Sequence, residues 1–116
     1  MTALHTAKPV LGAVETATLF GATDSAEVDA RIDTGAKRTC VDRSLAESIG
    51  ILQPIDEAVF RSSTDDSDTR EIIHLTVVVK NQKHEIKASV TDRANFSAPL
   101  RLGRDVLRGY LVDVEQ

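Results

Sequence analysis

A short acidic turn, Asp33-Thr34-Gly35-Ala36, follows an alternating run of residues in this chain. Val28, Ala30 and Ile32 fall on one face of an extended segment, and this face is predicted to be buried. The small residues after the acid permit a tight turn. The strand therefore delivers one carboxylate, that of Asp33, to a rigid turn, as a catalytic or ligand-binding acid requires. An ordinary turn in which the Asp caps its own backbone is the alternative interpretation.

A second segment that bears on the chemistry, Leu100-Arg101-Leu102-Gly103-Arg104-Asp105, lies near the C-terminal end. Two apolar residues precede its glycine, and residues 104–108 have the pattern of one helical turn that Gly109 closes.

In this order, the two segments resemble the retropepsin-type aspartic peptidases, in which an apolar strand ends in Asp-Thr-Gly-Ala and a later apolar pair precedes Gly-Arg-Asp or Gly-Arg-Asn. A narrower resemblance is to a small retropepsin-like family found beside ATP-grasp ligases of the RimK type and often labelled "ATP-dependent zinc protease". Four segments carry it: residues 30–37, 90–93, 102–104 and 109–113.

The resemblance implies a homodimeric aspartic endopeptidase with Asp33 as its catalytic residue. It gives Thr34 a hydrogen bond across the two-fold axis and Gly35 a contact with substrate backbone. Ala36, Gly103, Arg104 and Asp105 are the corresponding substrate-binding or supporting residues. Because the chain holds one Asp-Thr-Gly, the active species needs two chains. The terminal residues 9–14 and 110–115 are candidates for dimer strands.

Such a site hydrolyses peptides with two neighbouring carboxyl groups. Two carboxylates about 3 Å apart cannot both ionise, so they share one proton. The ionised group takes a proton from water, and the protonated group polarises the peptide carbonyl. The pair titrates as a unit.

Lys37 stands where retroviral members carry an acidic residue that pairs with the Gly-Arg-Asp arginine. Arg104 therefore needs another partner, and Asp42, Asp92 and Asp105 are open alternatives. This departure motivates a second function for the same fold, a catalytically weak or inactive dimeric binding or assembly module. A third interpretation is a small β domain in which Asp-Thr-Gly is a coincidence.

Residues 62–69 contain no apolar side chain and are predicted to form the tip of a hairpin, where the resembled family has its flap. The flap candidates are Ser63, Thr64, Asp65, Asp66 and Ser67. The tip lacks glycine, which argues for a stiffer or more open flap. Its negative charge predicts that a closed flap disfavours acidic peptides. A solvated tip that resists edge aggregation is the alternative.

The remaining pattern predicts an all-β fold, a small closed barrel or a sandwich-like fold, with one or two short helices. The resemblance implies the small closed retropepsin-like barrel. Residues 1–8 are predicted to form a flexible leader and residues 9–116 a single domain. A helix is expected from an Asp42 cap to a stop at Gly50. Strands are expected over residues 9–20, 27–33, 57–61, 70–80, 84–90 and 110–114.

Composition limits the partners and cofactors. A formal charge of -4, without a basic block, argues against a nucleic-acid surface, and no apolar run is long enough for a membrane span. The single cysteine, Cys40, predicts a buried thiol in a reducing, cytoplasmic location. His74 and His84 are predicted to be surface residues, so no metal site and no cofactor are expected.

Overall fold

Nine strands and two short helices make up the described part of the chain, residues 7–61 and 67–116 of a computed structural model. The strands are β1 (Val10–Leu11), β2 (Val14–Phe20), β3 (Ser25–Ile32), β4 (Cys40–Asp42), β5 (Asp56–Arg61), β6 (Ser67–Val79), β7 (Gln82–Thr91), β8 (Leu100–Leu102) and β9 (Leu111–Val112). The helices are α1 (Arg43–Ser48) and α2 (Arg104–Leu107). Neither of these two helices is long and apolar enough to cross a bilayer.

Six of these strands close into a barrel in the order β2-β3-β8-β4-β7-β6, because β6 also pairs with β2. The strand β5 extends β6 outside the closed ring. The strands β1 and β9 form a separate parallel pair. The predicted all-β closed barrel is therefore confirmed, and β8 lies parallel to β3 and antiparallel to β4.

Alternating side chains fill the barrel with an aliphatic core. On β6, Ile73, Leu75, Val77 and Val79 are all at most 4% exposed, as their spacing predicts. The hairpin to β7 turns at Lys80 and Asn81, both with positive φ, which matches the right-handed twist of the paired strands.

The helix α1 begins where the sequence predicts. Asp42 accepts a hydrogen bond from the Leu45 amide (3.2 Å), and its other carboxylate oxygen accepts one from the Arg93 amide (2.9 Å). Gly50 ends this segment with φ +91°, and a Cβ there would lie 2.5 Å from Thr23 Oγ1. Burial acts to raise the pKa of Asp42, but hydrogen bonds from Ser44, Arg93 and Leu45 outweigh it and lower the pKa.

Replacing Asp42 by Ala is expected to lower the free energy of unfolding by about 1–2 kcal/mol at neutral pH, because the helix loses its cap. A carboxylate with a depressed folded pKa stabilises the fold above its unfolded pKa. This stabilisation is lost as the pH falls through the folded pKa. The difference between wild type and variant in urea unfolding should therefore shrink in acid. Glu47→Ala, on the same helix, is the control; an equal effect there would contradict the capping role.

Several boundaries differ from the sequence-based expectation, and residues 9–20, expected as a first strand or hairpin, form β1 and β2 in two different sheets. The last strand is only Leu111–Val112, because the Gln116 amide bonds to the Asp113 carbonyl and turns the chain away. The hairpin tip is also shorter than predicted, since Ser67 already pairs with Arg61 in β6 and β5. A two-stranded ribbon outside the barrel needs no apolar face, so its polar residues gave no strand signal. The other flap candidates, Ser63, Thr64, Asp65 and Asp66, lie outside the described residues.

Candidate active site

Asp33 is held at its backbone where β3 ends. Its amide donates to the Leu102 carbonyl (3.0 Å), which joins the turn to β8. Its Oδ1 accepts a hydrogen bond from the Gly35 amide (3.0 Å), and its carbonyl accepts one from the Ala36 amide (3.2 Å). The side chain is 38% exposed. The turn therefore orients one carboxylate and leaves it accessible.

The glycine of the second segment packs directly on this turn. A Cβ on Gly103 would lie 2.7 Å from the Arg38 carbonyl carbon and 2.9 Å from the Ala36 oxygen. The next residue, Arg104, donates its amide to the same Ala36 oxygen (2.8 Å). Only a residue without a side chain allows this approach, so the two sequence motifs meet in space.

The Arg104 guanidinium has a partner that none of the three acidic alternatives anticipated. Its Nη1 donates to the Thr34 carbonyl (3.0 Å). Asp42 caps α1, and Asp92 accepts from the Ala94 amide. A neutral backbone oxygen thus takes the place of the missing acidic side chain.

Asp105 stabilises the loop that follows the active-site turn through hydrogen bonds to Thr39. Its Oδ1 accepts a hydrogen bond from the Thr39 hydroxyl (2.7 Å), and its two oxygens share the Thr39 amide at 3.1 and 2.9 Å. The hydroxyl oxygen in turn accepts from the Gly103 amide (3.2 Å). Thr39 is fully buried. Sequence reasoning missed Thr39. The available signal was its position two residues before Val41, which in an extended segment places both side chains on the same, inward face.

Arg101 is a second residue near Asp33 that sequence reasoning did not assign. Its Nε lies 3.9 Å from Asp33 Oδ2, and this Nε is buried without a hydrogen-bond partner among the described residues. Leu100 and Leu102 on either side are fully buried in the core, so Arg101 points away from it. In register, Arg101 lies beside Arg31 of β3. The sequence signal for this was the alternation Leu100-Arg101-Leu102, which places the arginine on the face opposite the two leucines.

An open groove of about 470 Å³ borders the turn on another side. Its lining residues are Thr34, Arg104, Leu107, Arg108, Tyr110, Leu111 and Val112. Leu111 and Val112 are 55% and 36% exposed, although they are aliphatic. The exposed face of Thr34 therefore continues into an apolar surface at the C-terminal strand.

The other residues considered for chemistry lie elsewhere. Cys40 is buried and Arg70 Nη1 lies 4.0 Å from its sulfur. His74 is exposed, as predicted, whereas His84 is half-buried and its Nε2 lies 2.7 Å from the Tyr110 hydroxyl. Burial lowers the pKa of His84, and the charge of Asp105 acts in the opposite direction. Within residues 7–61 and 67–116, no three His, Cys, Asp or Glu side chains form a group that could hold a metal ion.

Several solved structures share this fold. Lpg0085, a protein of unknown function (DUF785) from Legionella pneumophila subsp. pneumophila str. Philadelphia 1, has a TM-score of 0.66 at 22% identity over 93% of this chain and 95% of that chain. The EIAV protease, complexed with the inhibitor HBY-793, has a TM-score of 0.61 at 14% identity, covering 93% and 92%. For the simian foamy virus (mac) protease the TM-score is 0.58 at 20% identity, covering 78% and 86%. Identities this low establish the fold alone.

No curated protein sequence matches the chain. A family model does: the RimB-like model, described as retropepsin-like aspartic endopeptidase RimB, matches residues 52–116. This span is more than half of the 116 residues, and it contains Gly103, Arg104 and Asp105 but not Asp33. On this match and on a barrel shared with retroviral proteases, the chain belongs to the RimB-like family of retropepsin-like aspartic endopeptidases.

Proposed function

We propose that two copies of this chain form an aspartic endopeptidase in which Asp33 of each copy contributes one carboxyl group to a shared site. The observation that carries the proposal is the anchoring of Asp33. Its backbone is bonded to Leu102 and its Oδ1 to the Gly35 amide, while the carboxylate stays accessible. A carboxylate positioned in this way can activate water once a second carboxyl group lies beside it.

In this proposal, one carboxylate removes a proton from a water molecule as that water attacks the peptide carbonyl carbon. The protonated carboxyl group donates a hydrogen bond to the carbonyl oxygen. This bond stabilises the negative charge that develops on that oxygen in the tetrahedral intermediate. The proton then passes to the departing amine as the C–N bond breaks. Neither step needs a metal ion or a covalent intermediate.

The proposed two-fold interface uses the groove beside Thr34. A homodimer needs an apolar, self-complementary surface, and exposed Leu111 and Val112 supply apolar area next to the active-site turn. The strand β9 is paired only with β1 in the described part of the chain, so one of its edges can accept a further strand. A second copy placed there would bring the two Asp33 turns towards each other.

The dimer can be tested by dilution and mixing. If two chains make one site, peptide hydrolysis per chain should fall as the protein is diluted through the dimer dissociation constant. Excess Asp33→Asn chain, mixed into wild type, should also suppress activity because each mixed dimer holds only one carboxyl group. The control is an equal excess of Leu111→Asp chain in the same buffer. This variant is designed not to dimerise, so it should not suppress the activity of the wild type.

Activity that is independent of concentration and insensitive to added Asp33→Asn chain would contradict a shared site. A stable dimer that cleaves no peptide under any of these conditions would favour the binding or assembly module instead. The cytoplasmic location and the single domain over residues 9–116 remain predictions from the sequence.

The position of Arg101 beside Asp33 predicts that the enzyme prefers substrates with an acidic side chain next to the scissile bond. Its side chain is 26% exposed, its Nε lies 3.9 Å from Asp33 Oδ2, and Arg31 lies beside it in the sheet. These charges would sit against the substrate, and they predict the opposite preference to the one expected from the acidic sequence of residues 62–69. Partly buried charges are also less screened by salt than exposed ones.

Replacing Arg101 by Leu is expected to lower kcat/KM for a peptide with Glu beside the scissile bond by about tenfold or more relative to its Gln counterpart. Arg43→Leu, which removes an exposed arginine on α1, is the control. A Glu/Gln ratio that is the same in wild type and Arg101→Leu would remove Arg101 from the specificity site.

A further inference from the structure

A cluster of positive charge lies next to the active-site turn, and Arg108 lines both this cluster and the groove proposed for the dimer interface. It surrounds an open pocket of about 310 Å³. The pocket is lined by Lys37, Arg38, Ile86, Lys87, Asp105 and Arg108, and is called the cationic pocket below. Four of its six lining residues are cationic, in a chain whose formal net charge is -4.

Within the part of the chain that the structure describes, the cations of the cationic pocket lack salt-bridge partners. Among the described residues, none of the four side chains makes a salt bridge or a hydrogen bond. Other lysines on the same barrel do find partners, Lys80 with Glu15 at 3.6 Å and Lys83 with Glu85 at 3.5 Å.

The one acidic residue of the pocket is already engaged. Both oxygens of Asp105 accept hydrogen bonds from Thr39, so its carboxylate is directed to the loop rather than to the surrounding cations. Four cations against one carboxylate leave positive charge in excess, and a bound anion would reduce the repulsion among them.

The shape of the cationic pocket indicates a compact ligand. The charges come from three separate parts of the fold: the loop after the turn, the strand β7 and the end of α2. They line one open concavity of limited volume, whereas an extended polyanion would require a longer track of charge. Its volume is at the small end of ligand pockets, about 300–1,000 Å³, and Ile86 supplies an apolar wall.

We propose that the cationic pocket binds a compact oxyanion with several negative charges, of the polyphosphate type, whether free or as part of a nucleotide. Arginine and lysine both bind phosphate oxygens through charge-assisted hydrogen bonds, and arginine can do so with two nitrogens at once. Among the described residues, none of the four cationic side chains of the pocket forms an ion pair with Asp33, so anion binding can be measured without reference to peptide cleavage.

Isothermal titration calorimetry with inorganic tripolyphosphate tests this site on the full chain. We expect binding of one anion per chain, weaker binding of orthophosphate, and loss of affinity by tenfold or more in Arg38→Gln/Lys87→Gln. The matched control is Lys80→Gln/Lys83→Gln, which removes the same charge from outside the pocket and should change affinity by less than threefold. Parallel titrations with ATP and ADP, compared in affinity with tripolyphosphate, distinguish a nucleotide ligand from a free polyphosphate.

Equal losses in the two double variants would show general attraction to the protein surface and overturn the proposal, as would the absence of saturable binding by wild type. A tetra-aspartate peptide that binds more tightly than tripolyphosphate, and loses affinity only in Arg38→Gln/Lys87→Gln, would reassign the pocket to a carboxylate-bearing partner. Because the readout is binding, a positive result would stand even if the chain cleaved no peptide.

Discussion

Replacing Asp33 by Asn should lower peptide hydrolysis by at least about 10²–10⁴-fold, the contribution that a positioned general acid or base makes to a reaction. The amide keeps the shape of the side chain and can still accept a hydrogen bond from Gly35, so the turn should be retained. It cannot take a proton from water. The loss should therefore appear in kcat, with little change in the unfolding temperature.

Asp29→Asn is the matched control for this substitution. Asp29 is exposed on the same strand and loses the same charge. If Asp33→Asn retains wild-type kcat, or if the two variants lose activity equally, Asp33 is not the catalytic acid. Circular dichroism of each variant separates loss of catalysis from loss of fold.

Replacing Asp105 by Ala is expected to have the largest effect on stability, lowering the free energy of unfolding by roughly 2–5 kcal/mol. Thr39 is fully buried, and both its amide and its hydroxyl donate to this carboxylate. Removing the acceptor leaves two buried donors unsatisfied, each at a cost of about 1–3 kcal/mol. Urea unfolding followed by circular dichroism measures the change.

Two further variants test whether the lost hydrogen bonds to Thr39 cause the destabilisation of Asp105→Ala. Asp92→Ala removes an exposed carboxylate whose one hydrogen bond among the described residues comes from the Ala94 amide, and it should cost far less. Asp105→Asn retains one carbonyl oxygen for the Thr39 amide and should fall between the two. If Asp105→Ala unfolds at the same urea concentration as Asp92→Ala, the bonds to Thr39 do not hold the loop.

Local patterns predicted much of the fold. The alternation over β6 and β7, the Asp42 cap and the short turn of α2 depend on residues a few positions apart, so a single sequence contains the whole signal. The polar ribbon of β5 and β6 and the short β9 were predicted less well. Their ends depend on pairing partners rather than on their own side chains.

The candidate site was only partly predictable for the same reason. The two motifs were visible in the sequence, but Thr39 and Arg101 gain their positions from contacts with distant residues. Arg104 illustrates the limit most clearly. Its sequence context suggested an acidic partner, whereas in the structure it donates to the Thr34 carbonyl, which no side-chain pattern could reveal.

By itself, the sequence determined that this chain is a β protein carrying one Asp-Thr-Gly turn and one Gly-Arg-Asp turn, because alternation and turn chemistry act locally. Only the tertiary structure decided what surrounds the carboxylate. The parallel pairing of β3 and β8 places Arg101 beside Asp33, and the missing side chain of Gly103 lets the second turn pack on the first. Both depend on which strands become neighbours when the barrel closes, and this is settled by packing of the whole core.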